Sequence, residues 1–361
     1  MLIVGCGDVG MRCIPLLRQR FRVFAMTRDT ARVAALREAG AVAVVADLDA
    51  RRSLRRIAAL APAILHLAPP PAGGRADGRT RALLAALGAG RTASGGKYRA
   101  KRRAKRRAKR RTDCGTGRPT QAKAAHKLTY KPKQARNNTA RFTGKLRRLA
   151  LSHQFDIVPE REARRSGPVL AYGSTSGVYG DCGGALVAET RSPRPANARA
   201  VRRVAAEQQL RQAGARGEVS ARIIRIPGIY AADRLPLARL QAGTPALSMA
   251  DDVYTSHIHA DDLAAIMCRT LVRGRSQRVV HAADDTRLKM ADYFDLVADA
   301  HHLPRPPRIS REQAEQVLSP NLLSFMRESR QLDNTRLKRE LRIRLRYPSV
   351  ADFLSGHMPP A

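Results

Sequence analysis

The chain opens on a glycine pattern that restricts how the rest of it can fold. Gly5, Gly7 and Gly10 have the G-x-G-x-x-G spacing, directly after a short apolar run and before a helical pattern. In such a turn Gly5 permits the tight bend, Gly7 lets the backbone approach a pyrophosphate, and Gly10 lets helix pack closely on strand. The sequence therefore predicts a dinucleotide-binding turn, with Asp8 and Val9 beginning the helix beside the phosphates. The alternative is a glycine-rich turn that binds nothing.

Strand-like and helical runs alternate along most of the chain. The predicted strands are 2–4, 23–26, 41–45, 63–67, 169–172, 219–226 and 278–283. The predicted helices are 9–20, 30–39, 51–60, 79–87, 198–213 and 261–273. Because strands that alternate with helices form parallel βαβ units, we expect an α/β fold with a Rossmann-like, doubly wound parallel sheet.

The pattern also predicts how the chain is divided into domains. We expect a Rossmann domain over 1–93 and 167–285, with 231–252 contributing to the substrate lobe. Helical patterns with proline-rich links over 286–361 predict a small, mostly helical C-terminal substrate lobe. Residues 94–166 are predicted to be an insertion, because the α/β pattern is continuous without them.

The insertion has an unusual charge. The chain has a formal net charge of +37, and residues 91–166 carry 25 Lys+Arg against 4 Asp+Glu and nine of the eleven lysines. Few apolar residues and strong self-repulsion predict a disordered, low-complexity segment. It could bind nucleic acid through the phosphates, a sequence-blind interaction. A tolerated surface loop without such a role is the favoured interpretation.

The sequence gives little support for a membrane protein, a secreted protein or a metal-binding protein. No apolar run is long enough for a membrane span, and the chain starts on a strand rather than on a signal peptide. The five cysteines are odd in number and lack C-x-x-C spacing, which favours a cytoplasmic protein without disulfides or zinc. His257, His259, Asp261 and Asp262 could be read as a metal cluster.

Three later motifs resemble those of one enzyme family. Residues 171–180 (AYGSTSGVYG) resemble its Ser-Ser/Thr-x-x-Val-Tyr-Gly strand end, 225–230 its Arg-x-Pro turn, and 257–263 its Ile-His-Val-x-Asp-Leu segment. Together they are similar to the NAD(P)-dependent epimerase/dehydratase family, among the extended and atypical short-chain dehydrogenases/reductases. The resemblance implies an oxidoreductase or epimerase that moves a hydride at a nicotinamide. It also places 257–263 at a strand-to-helix link, where a helix cap by Asp261 or Asp262 is favoured over a metal cluster. The opening G-x-G-x-x-G departs from the family's commoner glycine pattern and points to the atypical branch.

The chain departs from the family at the catalytic helix. The family carries Tyr-x-x-x-Lys there, with the tyrosine as general acid/base and the lysine on the nicotinamide ribose. If Glu207 matches the acidic residue four positions after the lysine, Arg203 takes the lysine position and Arg199 the tyrosine position. Arg203 can still anchor a ribose or a phosphate. Arg199 cannot shuttle a proton, since a guanidinium stays protonated.

Other hydroxyl groups are candidates for the lost chemistry. Thr175 occupies the position of the family's catalytic Ser/Thr and would polarise a substrate oxygen. Tyr179 or Tyr230 would replace the missing acid. Both tyrosines are equally well explained as packing residues.

The second predicted strand indicates which cofactor binds. An acidic residue at its end would bind the ribose of NAD, whereas Arg28 offers donors to the 2′-phosphate of NADP. We therefore expect NADP rather than NAD, unless Arg28 is only a surface residue. Asp47 and Leu48 resemble the family's pair at the adenine, although Asp47 could be a turn residue. The remaining expected cofactor contacts are Ala68, Pro227, Gly228 and Ile229.

Three functions remain open from the sequence. The leading hypothesis is an NAD(P)(H)-binding oxidoreductase or epimerase-like protein with an altered active site and an unidentified small-molecule substrate. The second is a non-catalytic nucleotide-binding or redox-sensing protein, and the third is association with nucleic acid through 94–166. Related folds often pair through helices beside the fourth and fifth strands, which leaves a homodimer open.

Overall fold

The computed structural model describes residues 1–58, 60–89 and 167–356. These residues belong to one compact unit. The basic insertion 94–166, with its predicted disorder, lies outside the described residues.

Seven parallel strands form the central sheet. They are β1 (Leu2–Val4), β2 (Phe24–Thr27), β3 (Val42–Val45), β4 (Ala63–His66), β5 (Val169–Thr175), β6 (Ser220–Ile226) and β7 (Arg278–His281). Their order is β3-β2-β1-β4-β5-β6-β7, and every neighbouring pair is parallel. The chain thus winds outward from β1 in both directions, and the predicted Rossmann-like doubly wound sheet is confirmed. Ligands of such sheets bind at the carboxyl ends of the strands, where the order reverses between β1 and β4.

Helices connect the strands and fill the C-terminal part. They are α1 (Asp8–Arg18), α2 (Val33–Glu38), α3 (78–89 as far as described), α4 (Ala198–Ala215), α5 (Leu237–Gln241), α6 (Ala260–Arg273), α7 (Met290–Ala300), α8 (Arg311–Val317), α9 (Pro320–Met326), α10 (Thr335–Leu341) and α11 (Val350–Ser355). No helix among the described residues has the length and apolar character to cross a membrane.

One predicted helix is wrong in type. The segment predicted as a helix over 51–60 forms a 3₁₀ helix, Arg51–Arg56. Leu54 is the buried residue of this segment. The Ser53 hydroxyl also bonds to the carbonyls of Asp47 and Ala50, which competes with a regular helical ladder.

Apolar side chains cover both faces of the sheet. Ile3 packs in one cluster with Ile14 and Ile266, which lie on α1 and α6. Its strand neighbour Leu2 packs in the other cluster with Leu210 of α4. Strands buried on both faces are largely apolar, as the run Leu2–Val4 of β1 is.

The C-terminal part has an apolar cluster of its own. Leu240 packs there with Phe294, Val297 and Phe353. Short two-stranded sheets tie this part to the rest: Leu186–Val187 with Gln331–Leu332, Gly228–Tyr230 with His257–His259, Ala246–Leu247 with Arg308–Ile309, and Tyr254–Thr255 with Leu288–Lys289. The predicted boundaries of a substrate lobe stay a prediction.

Candidate functional site

The three glycines of the first turn have three different environments. Gly5 has φ +82°, and a Cβ there would lie 2.4 Å from the backbone nitrogen of Ala68, just after β4. A Cβ on Gly10 would lie 3.1 Å from Cys6 Sγ, because α1 packs closely on β1. A Cβ on Gly7 would meet no protein atom within 4 Å. Two of the glycines are therefore required by packing, and the third borders open space.

Gly7 begins α1 at the point where the strand order reverses. It is the N-cap residue, and no side chain caps the helix there. Asp8 follows, and its carboxylate accepts hydrogen bonds from Arg12 at 2.9 Å and from Arg234 at 2.9 Å. Burial alone would raise the pKa of Asp8, but these two guanidinium groups hold it below its ordinary value. The negative charge of Asp8 is thus neutralised next to the helix end.

The candidate adenosine residues lie at the ends of β2 and β3. Arg28 directly follows β2, and its side chain is exposed. Asp29 is engaged in a turn, since its carboxylate accepts from the N–H of Ala31 at 2.9 Å. Leu48 is buried, and the carboxylate of Asp47 accepts from a backbone N–H within its own turn. Asp47 therefore has a local structural role as well.

A cavity of about 690 Å³ opens at the carboxyl ends of β5 and β6 and reaches the C-terminal part. Among the predicted site residues it brings together Val9, Thr175, Arg203, Pro227, Gly228 and Ile229. The other predicted residues are not among those that line it: Gly5, Gly7, Asp8, Gly10, Arg28, Asp47, Leu48, Ala68 and Tyr179. Most of these lie at the carboxyl ends of β1 to β4, the expected cofactor side of the sheet.

Thr175 is the last residue of β5 and lines the cavity. Its hydroxyl accepts a hydrogen bond from the N–H of Gly177 at 3.2 Å, which caps the following turn. The neighbouring Ser174 donates to Glu207 at 2.6 Å and is buried. Of these two hydroxyl groups, that of Thr175 is therefore the more available to a ligand.

Two arginines of α4 reach the cavity one helical turn apart. Arg203 donates to the carbonyl of Gly173 at 2.6 Å and to the hydroxyl of Tyr172 at 3.0 Å. These bonds fix its guanidinium at the end of β5. Arg199 also lines the cavity, and its guanidinium lies 4.9 Å from the ring centre of Phe325. The tyrosine and lysine positions inferred from the family pattern thus share one wall.

The hydroxyl of Tyr179 is engaged away from the cavity lining. The side chain is 1% exposed, and its hydroxyl accepts from Arg225 at 2.7 Å and bonds to His281 at 2.5 Å. Burial raises the pKa of Tyr179, although Arg225 opposes the shift. These contacts favour the packing interpretation. Tyr230 is also 1% exposed and packs edge-on against Phe353. Like Tyr179, it is not among the residues that line the cavity.

Two buried polar groups lie at or beside the cavity, and sequence reasoning missed the second of them, Asp284. His257 lines the cavity, is 7% exposed, and stacks on Tyr293 with ring centres 4.4 Å apart. Burial lowers the pKa of His257 to about 4, so its ring is neutral near pH 7. Asp284 accepts from the N–H of Thr286, and burial raises its pKa to about 7. Its place just after β7, at a carboxyl strand end, is the signal that could have identified Asp284.

The predicted aspartate cap of α6 is wrong. His259 is the N-cap residue, and its Nδ1 accepts from the N–H of Asp261 at 3.2 Å. The carboxylate of Asp261 instead bonds to Arg12, and that of Asp262 accepts from the N–H groups of residues 346 and 347. The described residues contain no group of three or more metal-ligating side chains suited to an ion.

Comparisons with known proteins agree with this geometry. The model of one family, the TrkA-N domain, matches residues 1–62. A search of curated proteins found no match. A conserved protein of unknown function from Silicibacter pomeroyi has a solved structure that is 22% identical, with a TM-score of 0.63, over 98% of this chain and 96% of that one.

Two solved structures with named activities are also similar. A nucleoside-diphosphate-sugar epimerase from Pseudomonas aeruginosa is 14% identical with a TM-score of 0.63, over 98% of this chain and 94% of that one. The dTDP-glucose 4,6-dehydratase DesIV from Streptomyces venezuelae, with NAD and TYD bound, is 16% identical with a TM-score of 0.63 over the same shares. The family resemblance inferred from three motifs is thus confirmed at the level of the fold, and the chain has the Rossmann-like fold of the sugar-nucleotide epimerases and dehydratases.

Proposed function

We propose that the protein binds a pyridine nucleotide and acts as an oxidoreductase or epimerase with an altered active site. The observation that carries the proposal is the first turn: packing accounts for Gly5 and Gly10, whereas Gly7 borders open space. Packing does not require glycine at position 7, but the approach of a pyrophosphate to the backbone does. The DesIV dehydratase, which shares the fold, has NAD bound.

We assign the 2′-phosphate of NADP to Arg28, which makes NADP(H) the preferred cofactor. The exposed guanidinium can donate two parallel hydrogen bonds to a phosphate. Asp29 is the nearby carboxylate that could select the ribose of NAD, and its bond to Ala31 engages it in a turn. Asp47 and Leu48, at the end of the neighbouring strand, contact the adenine in this arrangement.

The chemistry of the cavity follows from its lining. The bound cofactor supplies hydride transfer at its nicotinamide. Arg203 would hold the nicotinamide ribose, and the backbone of Pro227, Gly228 and Ile229 would border the nicotinamide. Thr175 donates a hydrogen bond to the substrate oxygen. The Tyr179 hydroxyl is bonded to two other side chains, and Tyr230 is buried and is not among the residues that line the cavity, so proton exchange falls to water in the cavity.

The cofactor assignment is tested by titrating NADPH and NADH into the wild-type protein and Arg28→Ala. We expect Arg28→Ala to weaken NADPH binding about tenfold or more and to leave NADH binding unchanged. Arg37→Ala, an exposed arginine of α2, is the control and should change neither. Equal affinities for both cofactors in both proteins would refute the NADP preference. Binding of neither at millimolar concentration would refute the proposal as a whole.

Turnover is tested with NADPH and a panel of carbonyl compounds and sugar nucleotides. We expect Thr175→Val to lose activity about a hundredfold, because the hydroxyl group is gone, and Thr175→Ser to retain it. The serine variant also preserves the bond to Gly177 and so controls for folding. Cofactor binding without turnover across the panel would favour the non-catalytic or redox-sensing alternative, which the arginine at position 199 supports.

A further inference from the structure

The cavity carries an excess of positive charge. Five arginines and a single carboxylate are among its lining residues: Arg199, Arg203, Arg234, Arg239, Arg330 and Glu328. The neutral ring of His257 adds no charge. A concave surface of this sign attracts anions and concentrates them.

Only part of this charge is balanced by the protein. Arg330 pairs with Glu328 at 2.7 Å, and Arg234 pairs with Asp8 at 2.9 Å. Among the residues that the structure describes, no carboxylate pairs with Arg199, Arg203 or Arg239. Arg203 is held by neutral acceptors at the end of β5 and is already assigned to the cofactor. Within this described part of the chain, Arg199 and Arg239 therefore have no counter-charge.

Arg199 places a second positive charge, which is exposed, one helical turn before Arg203 on α4. Arg199 and Arg203 are four residues apart on α4, and like charges at this spacing destabilise a helix. Both side chains reach the same cavity, where part of the bulk water is displaced by protein. An anion beside Arg199 would relieve this modest repulsion, and the exposed guanidinium is accessible to it.

Arg239 is desolvated and held in place. Its guanidinium lies 4.2 Å from the ring centre of Phe294 and donates to the carbonyl of Pro245 at 2.9 Å. Burial lowers the pKa of Arg239 to about 10, so its charge lacks compensation. The guanidinium of Arg199 likewise lies over the ring of Phe325. Each ring orients a planar guanidinium before any ligand arrives.

We propose that Arg199 and Arg239 bind an anionic group of the substrate, a phosphate or a carboxylate. The guanidinium fork matches both groups with two parallel hydrogen bonds. The helix position where the related family has its proton-exchanging tyrosine therefore serves substrate recognition in this chain. This inference rests on the proposed function, since it takes the cavity to be the substrate site.

A local reporter separates this site from anion binding elsewhere on a basic chain. The sequence contains no tryptophan, so Phe325→Trp places a single tryptophan beside Arg199, whose emission can be excited selectively over that of the tyrosines. The full-length variant is titrated at constant ionic strength with inorganic phosphate, with pyrophosphate and with malonate. The same titrations follow in the background of Arg199→Gln, Arg239→Gln and Arg211→Gln. Arg211 is an exposed residue of α4 outside the cavity lining and serves as the matched control.

We expect a saturable fluorescence change that weakens about tenfold or more in Arg199→Gln and Arg239→Gln and stays unchanged in Arg211→Gln. Tighter binding of the phosphates identifies a phosphorylated substrate, and tighter binding of malonate a carboxylated one. No response, or an equal response in all four proteins, overturns the proposal.

NADPH affinity, measured on the same variants, distinguishes this proposal from the proposed function. Arg199→Gln and Arg239→Gln should bind NADPH as the parent does. If they lose NADPH binding to the same extent as anion binding, the arginines serve the cofactor and the substrate assignment is overturned. If no variant binds NADPH while the anion response still depends on both arginines, the anion site stands and the proposed function fails.

Discussion

Substitution by alanine should affect stability at Gly5 but cofactor binding at Gly7. Gly5→Ala puts an L side chain at φ +82° and 2.4 Å from backbone, so we expect a loss of roughly 1–3 kcal/mol or more in the free energy of unfolding. Gly7→Ala meets no protein atom within 4 Å, so stability should change little. Its methyl group would instead separate the backbone from a pyrophosphate and weaken NADPH binding about tenfold or more.

Urea denaturation and NADPH titration of both variants check this pair. Gly73→Ala is the control, since that glycine also borders open space but lies outside the first turn. NADPH binding of Gly7→Ala at wild-type strength would contradict the role of this turn.

Asp284 should make stability depend on pH. Burial raises the pKa of its carboxyl from 3.8 to about 7, so the folded state favours the protonated form. Its contribution to stability is then fully present below 3.8 and is lost as the pH rises through 7. Asp284→Asn cannot ionise and should gain stability relative to wild type over this window, by at most roughly 1.4 kcal/mol per pH unit.

The measurement is urea denaturation of Asp284→Asn and wild type from about pH 4 to pH 8, reported as the difference between them. The difference is needed because His257 and His281 have pKa values that burial lowers to about 4. Both histidines therefore make the protein less stable as the pH falls, whereas Asp284 makes it less stable as the pH rises. Asp292→Asn, at an exposed position of α7, is the control. A difference that stays constant with pH would show that Asp284 ionises normally.

At the scale of elements, a buried polar network joins one helix to three strands. Glu207 of α4 pairs with Arg225 of β6 at 2.7 Å and accepts from Ser174 of β5. Arg225 also donates to Tyr179, which bonds to His281 of β7. The network fixes α4 against the strand ends that form the cavity. Glu207, which served in the sequence analysis only to align the helix with the family pattern, therefore helps to position the cavity walls.

Removing one partner of the buried pair should be strongly destabilising. Glu207→Ala leaves the Arg225 charge buried without its partner, and we expect a loss of about 3–5 kcal/mol. Glu315→Ala, which breaks an exposed pair with Arg327, should cost less than about 1 kcal/mol. Urea denaturation measures both. A loss in Glu207→Ala no larger than in Glu315→Ala would show that Arg225 finds another partner or water.

At the scale of the whole molecule, the charge and the fold are separate properties. The described elements lie outside the basic insertion, and the sheet pairs β4 directly with β5 across it. We expect that replacing 94–166 with a short Gly/Ser linker preserves folding and NADPH affinity. The replacement removes most of the lysines and should abolish any salt-sensitive binding to nucleic acid.

Circular dichroism, NADPH titration and a nucleic-acid binding assay at two salt concentrations check this variant. Loss of the fold would show that the insertion contributes to the core. Nucleic-acid binding that persists unchanged would exclude the insertion as its source.

The sequence predicted the sheet well because the signals for a parallel strand are local. Apolar runs such as 63–65, bounded by helical patterns, mark buried strands, and the glycine spacing marks the first turn. The 3₁₀ segment Arg51–Arg56 was missed because a serine hydroxyl, not the apolar period, decides its backbone. Asp284 and Arg239 were missed because they stand out only through burial, which shifts the pKa of each group and depends on the tertiary structure.

The sequence by itself determined the α/β class, the winding of the sheet and the first turn, since all of these follow from local periodicity and glycine spacing. Only the tertiary structure decided which polar groups meet at the cavity. Arg199 on α4 and Arg239 on α5 are far apart in sequence, yet both line it, and Tyr179 is drawn to Arg225 and His281 instead. The physical reason is that charge balance and burial depend on neighbours from distant segments, which no local pattern records.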